Sequence, residues 1–142
     1  MLICALLTCA VSAAFSSPDF EGGMISGICL EGDTLYAADL RNKVIWRVED
    51  GEAQVFAGDR TYRDIGGSVI GGYRDAALLD ARFTEPWAIV PFLDGWAVSD
   101  AGANAVRYIT DGQVKTAAGS QESGFLDGSA PRPGSAVPRA LR

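Results

Sequence analysis

The chain of 142 residues contains no histidine and only three cysteines. Without histidine it cannot use an imidazole acid or base, a Ser–His or Cys–His nucleophile pair, or a histidine ligand for zinc. Cys4 and Cys9 lie in an apolar N-terminal stretch, which leaves Cys29 as the single thiol of the remaining chain. A single thiol excludes an internal disulfide and a CxxC metal site. Cys29 lies in the apolar run ISGICL, which predicts a small buried hydrophobe.

Basic residues are also scarce, with 12 lysines and arginines against 18 aspartates and glutamates. Three of the 12, Arg132, Arg139 and Arg142, belong to a C-terminal tail, so nine basic residues remain against all 18 acidic ones. A surface of this charge repels a phosphate backbone. We therefore expect no nucleic acid among the partners.

The N-terminal segment MLICALLTCAVSAAF has the features of a secretory signal. An apolar stretch runs from Leu2 to Val11, and Ser12, Ala13 and Ala14 provide a cleavage site of small residues. About ten apolar residues are too few to span a bilayer. We therefore predict a signal peptide over residues 1–14 and a mature protein that is secreted or held at a bacterial cell surface and does not span the membrane. A buried N-terminal strand or helix is the alternative.

Two similar segments follow each other in the chain. LYAADLRNKVIWRVEDG, residues 35–51, matches WAVSDAGANAVRYITDG, residues 96–112, with a constant offset of 61 positions, as from Asp39 to Asp100. The register continues without a gap to Gly58 and Gly119. A match of this length indicates an internal structural repeat.

Each segment predicts four short antiparallel strands. Val, Ile, Tyr, Trp and Thr dominate the apolar runs, and EGD, VEDG, LDG and ITDG separate them as hairpin turns. LYAAD and WAVSD carry apolar or small residues at both alternating positions, which is typical of strands covered on both faces. The predicted strands are 24–30, 34–38, 43–48 and 53–57 in the first segment and 87–92, 95–99, 105–109 and 113–118 in the second.

The predicted fold class is all-β, with β-propeller-type blades of four antiparallel strands stacked face to face. Two blades make an incomplete propeller, because closure takes about 4 to 8. We therefore expect missing blades or self-association, since two sheet faces would otherwise be uncovered. The predicted organisation is a first blade with its linker over 15–86, a second blade over 87–128, and a disordered Pro- and Arg-rich tail over 129–142.

The linker GYRDAALLDARFTEP, residues 72–86, and the repeated order of strand, Asp, Asn-containing turn and strand resemble the NHL-repeat propeller family. The resemblance covers residues 27–128. The N-terminal part is similar to secreted bacterial proteins in which such a propeller accompanies a domain named after the N-terminus of copper amine oxidase. Propellers related by fold also include calcium- or zinc-dependent lactonases and lyases.

The repeats and the absent catalytic constellation predict a secreted, non-enzymatic binding or scaffold module without a cofactor. A protein or a cell-surface glycan is the expected partner. The alternative is a fragment of a calcium-dependent lactonase- or lyase-like enzyme, in which Asp39 and Asp100 would be metal ligands. Each of these carboxylates precedes a turn with Asn42 or Asn104, so we predict instead that it accepts hydrogen bonds from backbone N–H groups two residues on.

The linker and the strands contain further side chains with predicted structural roles. Asp75 and Asp127 occupy equivalent positions, and Asp75 is predicted to cap a single helical turn. Phe83 is predicted in the core, with Arg82 as the partner of a nearby acid. Core packing is predicted for Trp46, Trp87 and Trp96, with a carbohydrate platform as the alternative, and solvation or ion pairing for Arg41, Lys43, Arg47 and Arg107.

An inserted segment, residues 59–71, is the best candidate for recognition. It makes the first unit longer than the second, and loops on a rigid β scaffold commonly carry binding residues. Arg60, Tyr62 and Arg63 are the candidate binding residues, because arginine and tyrosine are enriched at binding hot spots. A passive insertion is the alternative.

Overall fold

The computed structural model describes residues 23–121, which form two antiparallel sheets. The predicted signal peptide over 1–14, the tail over 129–142 and Asp127 lie outside these residues. Between residues 23 and 121 there is no helix with the length and apolar character needed to cross a bilayer.

The first sheet has four strands joined in sequence by tight turns. Its strand order is β1-β2-β3-β4, so each strand pairs with the one before it. The predicted strand positions and antiparallel pairing are confirmed, with each end within one residue. The strands are β1 (Ile25–Glu31), β2 (Thr34–Asp39), β3 (Val44–Glu49) and β4 (Glu52–Ala57).

The second sheet has five strands, not the predicted four. Its order is β5-β9-β8-β7-β6, and the additional edge strand β5 comes from the linker. Ala76 pairs with Val114, and the N–H of Leu78 donates to the carbonyl oxygen of Gly112. The linker therefore pairs with the beginning of β9. The strands are β5 (Ala76–Ala77), β6 (Pro86–Phe92), β7 (Gly95–Asp100), β8 (Ala105–Thr110) and β9 (Gln113–Gly119), with a 3-10 turn (Ala101–Ala103) before β8.

The two sheets repeat each other down to their irregularities. The first sheet pairs Gly27 with Ala38, and the second pairs Ala88 with Ser99, which are the positions 61 residues on. Both sheets also interrupt their hydrogen-bond ladders at equivalent points, between β1 and β2 and between β3 and β4 in the first sheet, and between β6 and β7 and between β8 and β9 in the second. The register shifts fall at Ile25/Gly27 and Ile45/Trp46 in the first sheet and at Pro86/Ala88 and Val106/Arg107 in the second.

A buried apolar cluster joins the two sheets. The Tyr36 ring of β2 lies 4.1 Å from the Trp96 ring of β7, centroid to centroid, and Phe56 of β4 packs edge-on against Tyr36 at 5.0 Å. Burial of this apolar area is the main stabilisation of the contact between the sheets. The buried members are Tyr36, Ala38, Ile45, Ala57, Ala81, Phe83, Ile89, Trp96, Val98, Ile109 and Val114. Half-buried Cys29 packs against this cluster.

The first strands of the two sheets approach each other closely because Gly27 has no side chain. A Cβ at Gly27 would lie 2.7 Å from the carbonyl oxygen of Trp87 and 2.9 Å from the Cα of Ala88. The hydroxyl of Ser26 donates to the carbonyl oxygen of Pro86 at 3.0 Å. These contacts bring the beginnings of β1 and β6 together.

The two sheets present opposite faces to each other. Residues opposite each other in an antiparallel ladder share a face, so Tyr36 and Ala38 of β2 face the second sheet, whereas Leu35 and Ala37 pack with Trp46 in a separate cluster on the far face. In β7 the assignment is reversed: the residues equivalent to Leu35 and Ala37, Trp96 and Val98, face the first sheet. The sheets therefore stack head to tail.

The outer face of the second sheet is only partly covered. The residues on this face are equivalent to the residues of the first sheet that pack against the second sheet, such as Tyr36 and Ala38. Ala97 and Ser99 of β7 are half-buried, and Val90 of β6 and Val106 of β8 are 51% and 40% exposed. The prediction of strands covered on both faces is thus confirmed for β2 but not for β7.

Candidate ligand-binding pocket

A pocket of about 440 Å³ lies where three parts of the chain meet. The turn after β2 contributes Arg41 and Lys43, the inserted segment contributes Ser68 and Val69, and the beginning of β6 contributes Trp87. Met24, Leu40 and Glu85 complete the lining. Its volume falls in the range of about 300 to 1,000 Å³ that small-molecule sites occupy.

The buried carboxylate of Asp39 holds one wall of this pocket in place. Asp39 Oδ1 accepts hydrogen bonds from the N–H groups of Met24, Arg41 and Asn42, each at 3.0 Å. Asp39 Oδ2 accepts from Asn42 Nδ2 at 2.8 Å and from Trp46 Nε1 at 2.9 Å. The bond from Arg41, two residues on, confirms the predicted role of Asp39. The carboxylate therefore fixes the turn that presents Arg41 and Lys43.

The hydrogen bonds also govern the charge of Asp39. Burial acts to raise the pKa of this carboxyl group, but the bonds from Trp46, Asn42 and Met24 outweigh burial and lower the pKa below its ordinary value. Asp39 is accordingly ionised at neutral pH. Its negative charge lies beneath the turn that carries the two cations of the pocket.

Arg41 and Lys43 present two positive charges to the pocket. Within residues 23–121 the side chain of neither forms a hydrogen bond or an ion pair, although Glu85 lines the same pocket. The backbone of Lys43 is left-handed, with φ of 59°, and its N–H donates to the carbonyl oxygen of Asp39 at 2.9 Å. Arg41 and Lys43 were predicted to be solvated or ion-paired, and within residues 23–121 they are solvated.

Trp87 lies at the pocket and not in the core, so its prediction was wrong. Its side chain is 53% exposed, whereas Trp46 and Trp96 are 1% and 8% exposed and confirm the prediction of core packing. Trp87 is the additional residue of the bulge between Pro86 and Ala88, which leaves it without a partner on β7. The bulge therefore directs an indole ring to the surface beside Arg41 and Lys43.

The inserted segment is an ordered hairpin. Arg63 and Val69 form an isolated antiparallel β-bridge. The N–H of Asp64 donates to the carbonyl oxygen of Ser68 at 2.9 Å. Asp64 Oδ1 accepts from the N–H groups of Gly66 at 2.8 Å and Ser68 at 2.9 Å, which fixes the turn. The returning half of the hairpin thereby places Ser68 and Val69 against the pocket.

The three predicted binding residues each contact a different group of the protein. Arg60 lies over the Trp46 ring at 5.3 Å, and Tyr62 lies beneath the guanidinium of Arg82 at 4.3 Å. Arg63 Nη1 donates to the carbonyl oxygen of Gly67 at 2.7 Å. Each side chain thus contacts another part of the protein, and binding by these residues stays a prediction.

Arg82 and Phe83 attach the linker to its neighbours. Phe83 is fully buried, which confirms its prediction. Arg82 Nη2 donates to the carbonyl oxygens of Ile70 at 2.9 Å and Gly71 at 3.2 Å, and no acid is bonded to it among residues 23–121. Arg82 therefore hydrogen-bonds the backbone of the inserted segment and not an acid. Its charge still acts on the nearby Asp59: burial acts to raise the pKa of that carboxyl group, but hydrogen bonds from Thr61 and the charge of Arg82 lower it.

In the second sheet a buried arginine takes the place of Trp46. Arg107 is fully buried and donates to Asp100 at 3.3 Å and to Asp75 at 2.5 Å. Asp75 Oδ2 also accepts from the N–H of Thr116 at 2.8 Å. The prediction that Asp75 caps a helical turn was wrong, because its carboxylate accepts from Arg107 and Thr116 instead. Ala76 and Ala77 form β5, and a hydrogen-bonded turn follows only from Ala77 to Ala81. Ion pairing of Arg107 is confirmed, and Arg47 pairs with Glu49 at the surface at 2.7 Å.

Asp100 also differs from its predicted role. Its carboxylate accepts from the N–H groups of Thr84 at 3.1 Å and Glu85 at 2.7 Å, which precede it in the linker. No hydrogen bond runs from its side chain to the 3-10 turn that follows it. Asp100 therefore fixes the beginning of β6, just as Asp39 fixes the residue before β1.

A second cavity, of about 430 Å³, opens on the outer side of the second sheet. Ser99, Val106 and Ala118 are among its lining residues. Their equivalents in the first sheet are Ala38, Ile45 and Ala57, which are all fully buried in one cluster with the linker residues Ala81 and Phe83. The cavity therefore corresponds to the place that the linker fills in the first sheet.

Comparison with protein-family models and with curated proteins finds no match for this chain. Between residues 23 and 121 no group of three or more cysteines and carboxylates lies close enough together to hold a metal ion. The function is therefore inferred from the geometry of the two sheets and their pockets.

Proposed function

We propose that the chain is a secreted, non-enzymatic binding or scaffold module, a two-blade segment of an NHL-type β-propeller that is completed by further blades or by self-association. The cavity beside Val106 carries the proposal. Ala81 and Phe83 close the equivalent place in the first sheet, so a further linker followed by a further sheet would close this one. The predicted occupant is a sheet of the same repeat.

Head-to-tail stacking supports this choice of occupant. An interface that joins two different faces leaves one copy of each face at the ends of the stack, and repetition continues until the array closes. The exposed Val90 and Val106 occupy the positions of Cys29 and Ile45, which pack in the first sheet against the second. An apolar face of this kind marks an interaction surface.

Light scattering on the purified chain tests the proposal. We expect association that increases with concentration, and less of it in Val106→Lys, because a charge on the outer face would have to be buried. Leu93→Lys is the matched control, since Leu93 is 82% exposed in the turn between β6 and β7. A compact monodisperse monomer in the unchanged chain would overturn the proposal.

The calcium-dependent enzyme is the second candidate and has less support. Asp39, one of its two expected ligands, already accepts five hydrogen bonds from protein groups. A thermal-shift measurement with and without calcium separates the two functions. We expect no change in melting temperature for the scaffold, whereas a rise on addition of calcium would favour the enzyme.

A further inference from the structure

We propose that the pocket formed by Arg41, Lys43 and Trp87 binds a saccharide that carries a carboxylate group, as a uronic acid does. This proposal rests on the proposed binding function and names its ligand class. It follows from three properties of the pocket: an exposed indole, two cations that have no ion-pair partner among residues 23–121, and the hydrogen-bonding side chains of Ser68 and Glu85 in the lining.

The indole supplies the contact for the sugar ring. Trp87 is 53% exposed and lines the pocket beside the apolar side chains of Met24 and Val69. A sugar ring has a face of C–H groups that packs on an aromatic surface and buries apolar area. Because Trp87 belongs to a bulge in a sheet, the sheet holds the backbone that carries the ring.

The two cations select an acidic ligand. Arg41 and Lys43 line the same pocket, and in the described part of the chain neither side chain has an ion-pair partner. Arginine binds a carboxylate through two parallel hydrogen bonds, and lysine adds a second charge-assisted bond. A ligand carboxylate would pair with the two positive charges that line the pocket.

The remaining charges favour a single carboxylate over a polyanion. Glu85 lines the pocket, and the whole chain has a formal net charge of −6. A polyanion would extend over this acidic surface and be repelled, whereas a small ligand is affected mainly by charges within about 8 to 10 Å. The carboxylate of Glu85 can accept hydrogen bonds from sugar hydroxyls, and the hydroxyl of Ser68 can accept or donate them.

Calorimetric titration with galacturonic acid tests the proposal, with galactose and lactate as comparisons. We expect galacturonic acid to bind at least tenfold more tightly than either, because only it has both the sugar ring and a carboxylate. Added salt should weaken its binding. Equal binding of galactose would overturn the role of the cations, and tighter binding of lactate would overturn the saccharide. No binding at millimolar concentration would overturn the site.

Variants then assign the binding to the pocket. The double variant Arg41→Gln and Lys43→Gln should bind at least tenfold more weakly, and so should Trp87→Ala. Arg47→Gln is the matched control, because Arg47 is an exposed arginine outside the pocket that pairs with Glu49, and its affinity should stay within twofold. Melting temperatures and circular dichroism of the variants show whether each is folded, and unchanged binding in the folded double variant would contradict the proposal.

The proposed scaffold function and the proposed ligand can be tested independently of each other. The pocket is formed within one chain, so titration reports on it whether or not the chains associate. Association without galacturonate binding would overturn the ligand and leave the scaffold intact. A monodisperse monomer that binds galacturonate would overturn the incomplete propeller and leave the pocket intact.

Discussion

The ring of Tyr36 packs against the indole of Trp96, with 4.1 Å between centroids and 40° between ring planes. Trp96 lies 60 positions after Tyr36, one fewer than the repeat offset of 61. Both residues therefore lie on the second strand of their unit, but on opposite faces of their sheets. This contact joins the two sheets and shows directly that they stack head to tail.

Loss of this contact should lower the free energy of unfolding. We expect Trp96→Ala to lower the free energy of unfolding by about 3–5 kcal/mol, because a large buried aromatic side chain leaves a cavity. Tyr36→Phe should cost no more than about 1 kcal/mol, since it keeps the ring and removes only the hydroxyl. Urea unfolding measures both, and a small loss in Trp96→Ala would contradict a shared core.

Arg107 should be a second point of high sensitivity. Arg107→Met leaves the fully buried Asp100 without its ion-pair partner, and breaking a buried pair in this way costs about 3–5 kcal/mol. Arg47→Met removes the exposed pair with Glu49 and should cost at most about 1 kcal/mol. Denaturant unfolding compares the two, and similar losses would mean that the buried pair contributes no more than the surface pair.

Stability should fall in acid because Asp39 is charged in the folded protein. Burial acts to raise its pKa, but hydrogen bonds from Trp46, Asn42 and Met24 lower the pKa below the ordinary value of 3.8. The resulting stabilisation is present above pH 4 and is lost as the pH falls through the folded-state pKa. Unfolding free energies between pH 7 and pH 2 should therefore decrease below about pH 4.

Asp39→Asn isolates this contribution. Asparagine cannot titrate, so the variant should be less stable at pH 7 but should lose less of its remaining stability in acid. Part of the acid sensitivity should persist, because hydrogen bonds from Thr116 and Arg107 also lower the pKa of Asp75 against the effect of its burial. An unchanged pH profile in Asp39→Asn would contradict the role of the Asp39 hydrogen bonds.

Two glycines with left-handed backbones should differ in their tolerance of a side chain. Gly119 has φ of 85°, and its Cβ would lie 2.1 Å from the carbonyl oxygen of Asn104. Gly112 has φ of 70° and no atom within 4 Å of its Cβ. Gly112→Ala should cost about 1–2 kcal/mol from backbone strain alone, and Gly119→Ala should cost more because the backbone must also move. Thermal unfolding ranks the two variants.

The strands could be predicted from the sequence almost to the residue, because each depends on local patterns. The apolar run in LYAAD and the glycines of the turns act within one hairpin. The offset from Asp39 to Asp100 predicted two equivalent units, and their shared bulges confirm it. The family resemblance and the secreted location stay predictions.

The candidate pocket could not be predicted in this way. The inserted segment contributes Ser68 and Val69 to the pocket, whereas the predicted binding residues Arg60, Tyr62 and Arg63 do not line it. Trp87 was assigned to the core because it stands beside a strand, and only the bulge at Pro86 turns it outward. The sequence signal that could have found it is the equivalent position in the first unit, which is the polar Ser26.

The sequence by itself determined the strand positions, the turns and the repeat, since these follow from residues that are neighbours in the chain. The tertiary structure decided that the linker adds Ala76–Ala77 to the second sheet, that Arg107 is buried, and that Trp87 meets Arg41 and Lys43. These outcomes depend on which segments come together across the two sheets. The free energy of such contacts is set by burial and by partners distant in sequence, which a local pattern does not contain.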